Sequence, residues 1–130
     1  MRLILGSSSL QRQDILRDLG YEFEVIKPDV DEKSIRCANP RDLALALANL
    51  KADDVAGKIK DSAIVIAADS IVLVGDEVRE KPTSKEEAYK FLQDVSRGVP
   101  QTVVTALVVI NTKTSERRDR HPESRIYEPD

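Results

Sequence analysis

The run Ala63-Ile64-Val65-Ile66-Ala67-Ala68 is apolar at every position, with no alternation that would give it a wet face. An unbroken apolar stretch of this length is the pattern of a central strand covered on both sides, as in a sheet flanked by helices. Asp69-Ser70 interrupts it, and Ile71-Val72-Leu73-Val74 resumes as strand. A carboxylate at the end of a buried strand is costly unless a cation or a metal ion meets it. The plainer reading of Asp69 is a turn or bulge aspartate bonding nearby N–H groups. Because ligands in α/β sheets favour strand ends, the functional reading stands ahead.

The flanking sequence fits a layered α/β domain. Leu3–Leu5 reads as a short strand, followed by a small-residue loop and a helix. Ser8 has N-cap character, with Gln11 at capping-box spacing, and Gly20 stops the helix after about Leu19. Tyr21 to Ile26 alternates like a half-buried strand, and residues 27–32 form an acidic loop. Asn39-Pro40 opens a second helix whose apolar positions Leu43, Leu47 and Leu50, with Ala44 and Ala48, carry it to about Ala56. Gly75-Asp76 turns into Glu77–Arg79, which makes the sheet mixed. Ser84 caps a third helix, with Glu87 completing a capping box and Ala88, Phe91, Leu92 and Val95 on its apolar face. Gln101 to Asn111 is a further strand. Beyond Thr112 apolar periodicity ends, so residues 113–130 are expected to form a flexible tail behind a domain of residues 1–112.

Composition narrows the function classes. The 130 residues make one domain, and with 4% aromatics and no Trp its core must be aliphatic. A net charge of −3 counts against a nucleic-acid polymer as partner. Cys37, the single cysteine, cannot form an internal disulfide. No stretch reads as a signal peptide or a membrane span, so no membrane partner and a cytoplasmic location are expected.

Several charged residues break the local pattern. Arg12 shares a helical stripe with Ile15, Leu16 and Leu19, just after the Gly6–Ser9 loop. A helix start preceded by Gly and Ser offers N–H groups, hydroxyls and the dipole to a phosphate, and Arg12 adds a guanidinium fork. Lys51 lies on the stripe of Ala44, Leu47, Ala48 and Val55, where it either snorkels or points into a polar cleft. Glu32 ends the acidic stretch Asp29-Val30-Asp31-Glu32, which reads as solvated charge or as oxygen ligands for a hard cation. Lys81, held extended by Pro82, reads alone as an exposed lysine. As a set, Arg12, Lys51 and Lys81 can neutralise a polyphosphate, while Asp69 and Glu32 hold Mg²⁺ or activate a water. There is no Ser-His-Asp arrangement and no Walker phosphate loop.

This combination resembles the Maf family of nucleoside triphosphate pyrophosphatases. The matching pieces, in family order, are Leu5-Gly6-Ser7-Ser8-Ser9 with Arg12, Asp29-Val30-Asp31-Glu32, Lys51-Ala52, Ala68-Asp69-Ser70 and Glu80-Lys81-Pro82. Asp31–Arg36 and Arg79–Ser84 look most like plant-type members. The resemblance implies a Maf/ITPase-like mixed β-sheet flanked by helices, with a substrate cleft, an incomplete second lobe and a homodimer. It implies hydrolysis of a nucleoside triphosphate to monophosphate and pyrophosphate with Mg²⁺ or Mn²⁺, and Arg12 with Ala68-Asp69-Ser70 leans toward the dTTP/UTP type. By motif, Asp69 is the proton acceptor and a metal ligand with Glu32. Ser8, Arg12, Lys51, Ser70 and Lys81 bind substrate, Arg12 and Ser70 at positions linked to substrate choice. Family members have Ser-Pro-Arg-Arg where this chain has Ser9-Leu10-Gln11-Arg12, and residues 114–130 do not resemble family sequence. The chain is therefore expected to be shortened at its C-terminus. The alternative is a non-catalytic nucleotide-binding or regulatory protein.

Overall fold

The computed structural model describes residues 1–35, 39–74, 77–79, 84–98 and 101–127. In chain order the elements are β1 (Arg2–Leu5), α1 (Leu10–Asp18), β2 (Glu24–Val25), a 3-10 turn (Glu32–Ser34), α2 (Pro40–Gly57), β3 (Ala63–Val74), β4 (Glu77–Arg79), α3 (Lys85–Ser96), β5 (Gln101–Asn111) and β6 (Arg117–Tyr127). They build a mixed α/β fold with one sheet of order β2-β1-β3-β5-β6, and β4 also pairs with β3. β1 runs parallel to β2 and β3, whereas β3 is antiparallel to β4 and β5, and β5 to β6.

Helix α2 supplies the packing. Asn39 caps it, its Oδ1 accepting from the Arg41 N–H at 2.8 Å, and Pro40 stands in the first turn, where its missing N–H costs nothing. Ala44, Leu47, Ala48, Ala52 and Val55 are buried along one face. They meet Ala63, Val65, Ala67 and Ile71 of β3 and Val104, Ala106 and Val108 of β5. The many alanines let the helix lie close to the sheet, and each fully buried valine or isoleucine contributes about 1.5–3 kcal/mol.

β3 is one uninterrupted strand, contrary to the expected break at Asp69-Ser70. Asp69 and Ser70 hold ladder positions opposite Ala106 and Thr105. A polar side chain does not break a strand whose backbone is paired. β1 pairs with Ala63–Ile66 and β4 with Val72–Val74. Among the described residues, Ala67–Ile71 therefore carry β5 on one edge and no strand on the other. Asp69 sits in that gap, mid-strand rather than at a strand end.

Three other expectations change. The expected strand from Tyr21 to Ile26 contracts to Glu24–Val25, anchored to β1 by Arg2, whose Nε lies 2.6 Å from Glu24 Oε2. The stripe of α1 is not a core face: Leu10, Ile15 and Leu19 are exposed and the helix has no buried residue. The expected loose tail instead contributes β6, paired with β5 from Ile110–Arg117 to Gln101–Tyr127. Backbone pairing needs no apolar period, which is why composition hid this strand. Asn111 Oδ1 accepts from the Lys113 and Thr114 N–H groups to turn the chain, and Arg117 donates to Asn49 Oδ1 at 2.6 Å and pairs with Asp53 on α2. Gly75-Asp76 and Cys37 lie outside the described residues. Among those described, no helix is long and apolar enough to cross a membrane.

Candidate active site

The site begins where β1 ends. The Gly6 N–H donates to Ile66 O at 2.8 Å, extending the β1–β3 ladder by one step. A Cβ on Gly6 would stand 3.0 Å from Val55 Cγ2, so a larger residue here would have to push Val55 aside by a few tenths of an ångström. Ser7 follows, buried, with its Oγ accepting from the Ser9 N–H at 3.0 Å and from Arg12 Nη1 at 3.5 Å. Ser9, not Ser8, caps α1: its Oγ accepts from the Arg12 N–H at 3.3 Å. Three consecutive serines offer the same capping chemistry, and the backbone turn selects the last. Ser8 is exposed on the loop between its two bonded neighbours.

Lys51 is the hub of the charged cluster. From α2 its Nζ reaches Asp69 Oδ1 at 2.6 Å and Glu32 Oε1 at 2.8 Å. Only 16% of the Lys51 side chain and 10% of that of Asp69 remain exposed, against 55% for Glu32. Glu32 is delivered by the acidic loop, which is tied down twice. The Asp29 N–H donates to Asp54 Oδ2 at 2.9 Å, fastening the loop to α2. Asp31 caps the short turn, its Oδ1 accepting from the Lys33 N–H at 3.1 Å. Of the three loop carboxylates, Asp31 therefore serves its own turn and Glu32 faces the cluster.

Burial pushes the Asp69 carboxyl above its ordinary range, outweighing the hydrogen bond and charge of Lys51, with the Glu32 charge adding to the rise. Burial alone would lower the Lys51 ammonium, but its bonds to Asp69 and Glu32 hold it above its usual value. The result is a fixed cation beside a carboxylate that takes up a proton more readily than a solvated aspartate does.

Successive residues of a strand point to opposite faces. Asp69 shares the α2 face with Ala67 and Ile71, and Ser70 points the other way. There the Ser70 Oγ accepts from Arg12 Nη2 at 3.2 Å and lies 3.0 Å from Thr105 Oγ1. Arg12 and Lys51 thus grip adjacent residues of β3 from its two sides, and the Arg12 charge still bears on Asp69. The structure brings together Arg12, Ser70, Lys51, Asp69 and Glu32, while Lys81 lies outside the described residues. Ser7 and Thr105 join the cluster although neither breaks a pattern in the sequence. Thr105 is a lone hydroxyl in the run Val103–Val109, a weak signal without the register.

No group of three or more His, Cys, Asp or Glu converges among the described residues. Asp69 and Glu32 nevertheless suit a hard divalent cation. Mg²⁺ is commonly held by one or two carboxylates together with substrate phosphates, and both carboxylates here already face one cation, the Lys51 ammonium. Two surface hollows lie elsewhere: one is lined by Met1–Leu3 and Glu22–Glu24, the other by residues including Asp53, Thr112 and Arg117.

A family profile described as Maf-like protein matches residues 2–127, so family resemblance continues past Thr112 through β6. Over 121 residues the chain is 36% identical to a 7-methyl-GTP pyrophosphatase of Dictyostelium discoideum, covering 88% of this chain and 61% of that protein. Over 127 residues it is 35% identical to a dTTP/UTP pyrophosphatase of Thermoanaerobacter sp. (strain X514), covering 98% of this chain and 65% of that protein. The chain thus spans less than two thirds of the length of these curated relatives. Its fold is similar to a HAM1 protein from Coxiella burnetii, with a TM-score of 0.54 at 13% identity, over 98% of this chain and 71% of that one.

Proposed function

The chain belongs to the Maf-like protein family, and on that footing we propose that it hydrolyses a nucleoside triphosphate to the monophosphate and pyrophosphate. The observation that carries this reading is Lys51 held between Asp69 and Glu32, with Arg12 bonded to the residue beside Asp69. In this reading the triphosphate occupies a cleft at the open edge of β3, where the Gly6–Ser9 loop and the start of α1 face it. A second lobe bordering that cleft belongs to the same proposal.

Each residue then has a task. Asp69 takes the proton of the water that attacks the α-phosphorus, and its raised pKa makes it a stronger base than a solvated aspartate. Lys51 holds the Asp69 carboxylate in place and sets a positive charge next to the phosphates. Arg12 offers its guanidinium to phosphate oxygens at the start of α1, where the helix dipole also favours an anion. Ser8, exposed on the loop, offers a hydroxyl, and Lys81 is assigned a further phosphate contact. Glu32 and Asp69 would hold Mg²⁺ or Mn²⁺, which when bound neutralises phosphate charge and acidifies water. The substrate is proposed to be of the dTTP/UTP type, supported by relatives such as the Thermoanaerobacter protein.

The test is pyrophosphate release from dTTP, UTP and 7-methyl-GTP with Mg²⁺ or Mn²⁺, comparing wild type with Asp69→Asn. Turnover that requires the metal and falls by about 100-fold or more in the variant is expected. Equal rates for the two proteins would remove Asp69 from the mechanism. Nucleotide binding without pyrophosphate release would assign the chain a binding role instead.

A further inference from the structure

We propose that Thr105 on β5 is a positioning residue for nucleotide recognition, acting through Ser70 on Arg12. The inference deepens the proposed function and rests on that reading of the site.

Three observations meet at this residue. Thr105 is the ladder partner of Ser70, and their hydroxyl oxygens are 3.0 Å apart. Ser70 accepts from Arg12 Nη2 at 3.2 Å, and a guanidinium can only donate, so this lone pair of Ser70 is committed. Whichever of the two hydroxyls donates to the other, Thr105 restricts how the Ser70 O–H can turn. Arg12 is in turn held from its other side by Ser7 Oγ at 3.5 Å. The guanidinium is thus suspended between the loop after β1 and the hydroxyl pair on β3 and β5.

The second support is backbone geometry. The β5–β6 register shifts between Thr105 and Leu107. Thr105–Leu107 on β5 stand opposite Arg120–Glu123, so the extra residue and the bend belong to β6 beside Thr105, and such irregularities are over-represented next to active sites. The third is stiffness: a β-branched side chain has few χ1 states, so Thr105 presents its hydroxyl with little entropy to lose. Together these make β5, which offers no charged group to the site, the support that decides where Arg12 points.

The experiment compares wild type, Thr105→Val and Thr105→Ser. Calorimetry gives the Kd for dTTP, UTP and 7-methyl-GTP, and steady-state kinetics give KM and kcat with Mg²⁺. Loss of one hydrogen bond in Thr105→Val is expected to raise Kd and KM about threefold to tenfold, with kcat moving less. The loss should differ between the pyrimidine nucleotides and 7-methyl-GTP. Thr105→Ser should recover most of it, because the hydroxyl returns. Melting temperatures within a few degrees of wild type establish that the variants are folded. If Thr105→Val leaves Kd and KM at wild-type values, or Thr105→Ser is as impaired as Thr105→Val, the inference falls while the pyrophosphatase reading stands. If the wild type binds nucleotide without turnover, the pyrophosphatase reading falls and the Kd series still decides on Thr105. A wild type that binds no nucleotide overturns both.

Discussion

Lys51 and Asp69 are 18 residues apart in the chain and 2.6 Å apart in space, one on the helix that covers the sheet and one in the middle of its longest strand. The contact takes a carboxylate that would be costly on a core face and gives it a cation nearly as shielded from water as itself. Glu32 completes the arrangement from the acidic loop.

Removing the ammonium should therefore harm both stability and turnover. Lys51→Ala leaves Asp69 without its cation on the core face, and a loss of about 1–3 kcal/mol in denaturant unfolding is expected. The same variant should lower kcat/KM for the preferred nucleotide by about 100-fold. Lys51→Arg, which keeps the charge, should recover more of the stability than of the rate, because a planar fork cannot place one donor between two carboxylates as an ammonium does.

The pH dependence follows from the direction of two shifts. Asp69 is raised, so the folded protein holds this proton where the unfolded chain has lost it. Its contribution to stability is full below the ordinary aspartate value and declines as pH rises through the raised one. Asp54 is lowered, first by the Asp29 N–H and then by Lys58, so its contribution is present above the ordinary value and is lost as pH falls. Denaturation curves of Asp69→Asn and Asp54→Asn against pH should thus deviate from wild type in opposite senses across the acidic range. The acid limb of the rate profile should lie above the ordinary aspartate range and report the proton on Asp69.

Arg12 should matter more for binding than for folding. It sits on a helix with no buried residue, so Arg12→Ala should change stability by less than about 1 kcal/mol. A charge-assisted contact to phosphate is worth about 1.5–3 kcal/mol, so kcat/KM should drop about 10- to 150-fold. Arg12→Lys should recover only part of this, since it loses the fork that bonds Ser7 and Ser70 together.

Gly6→Ala tests the close approach of the β1 loop to α2. The new methyl would meet Val55 Cγ2 at 3.0 Å and Ile66 O at 3.5 Å, and Val55 is fully buried with little room to yield. A destabilisation of about 1–3 kcal/mol is expected in urea unfolding. Because the same loop carries Ser7 and the cap of α1, KM should rise as well.

Much of the candidate site was legible because its charges sit where apolar residues belong. Asp69 interrupts an apolar run, and Lys51 lies on the stripe of Ala44 and Leu47. Glu32 and Arg12 were marked by their loop and by the helix start. What could not be read was pairing. Nothing in composition says that Thr105 faces Ser70, since that depends on a long antiparallel register. β6 was invisible for the same reason: its hold on β5 is backbone to backbone, and the Arg117 anchor to Asn49 and Asp53 joins residues far apart in sequence. The break assigned at Asp69-Ser70 was a break in polarity only.

The single continuous ladder of β3 has one more effect. A slip by one residue against β5 would swing the carboxylate to the Arg12 side and the hydroxyl to the Lys51 side, and both clusters would dissolve in the same event. That slip would also turn Ala67 and Ile71 out of the layer beneath α2. Greasy neighbours with no chemistry of their own thus act as the ruler that keeps the reactive groups on their proper sides.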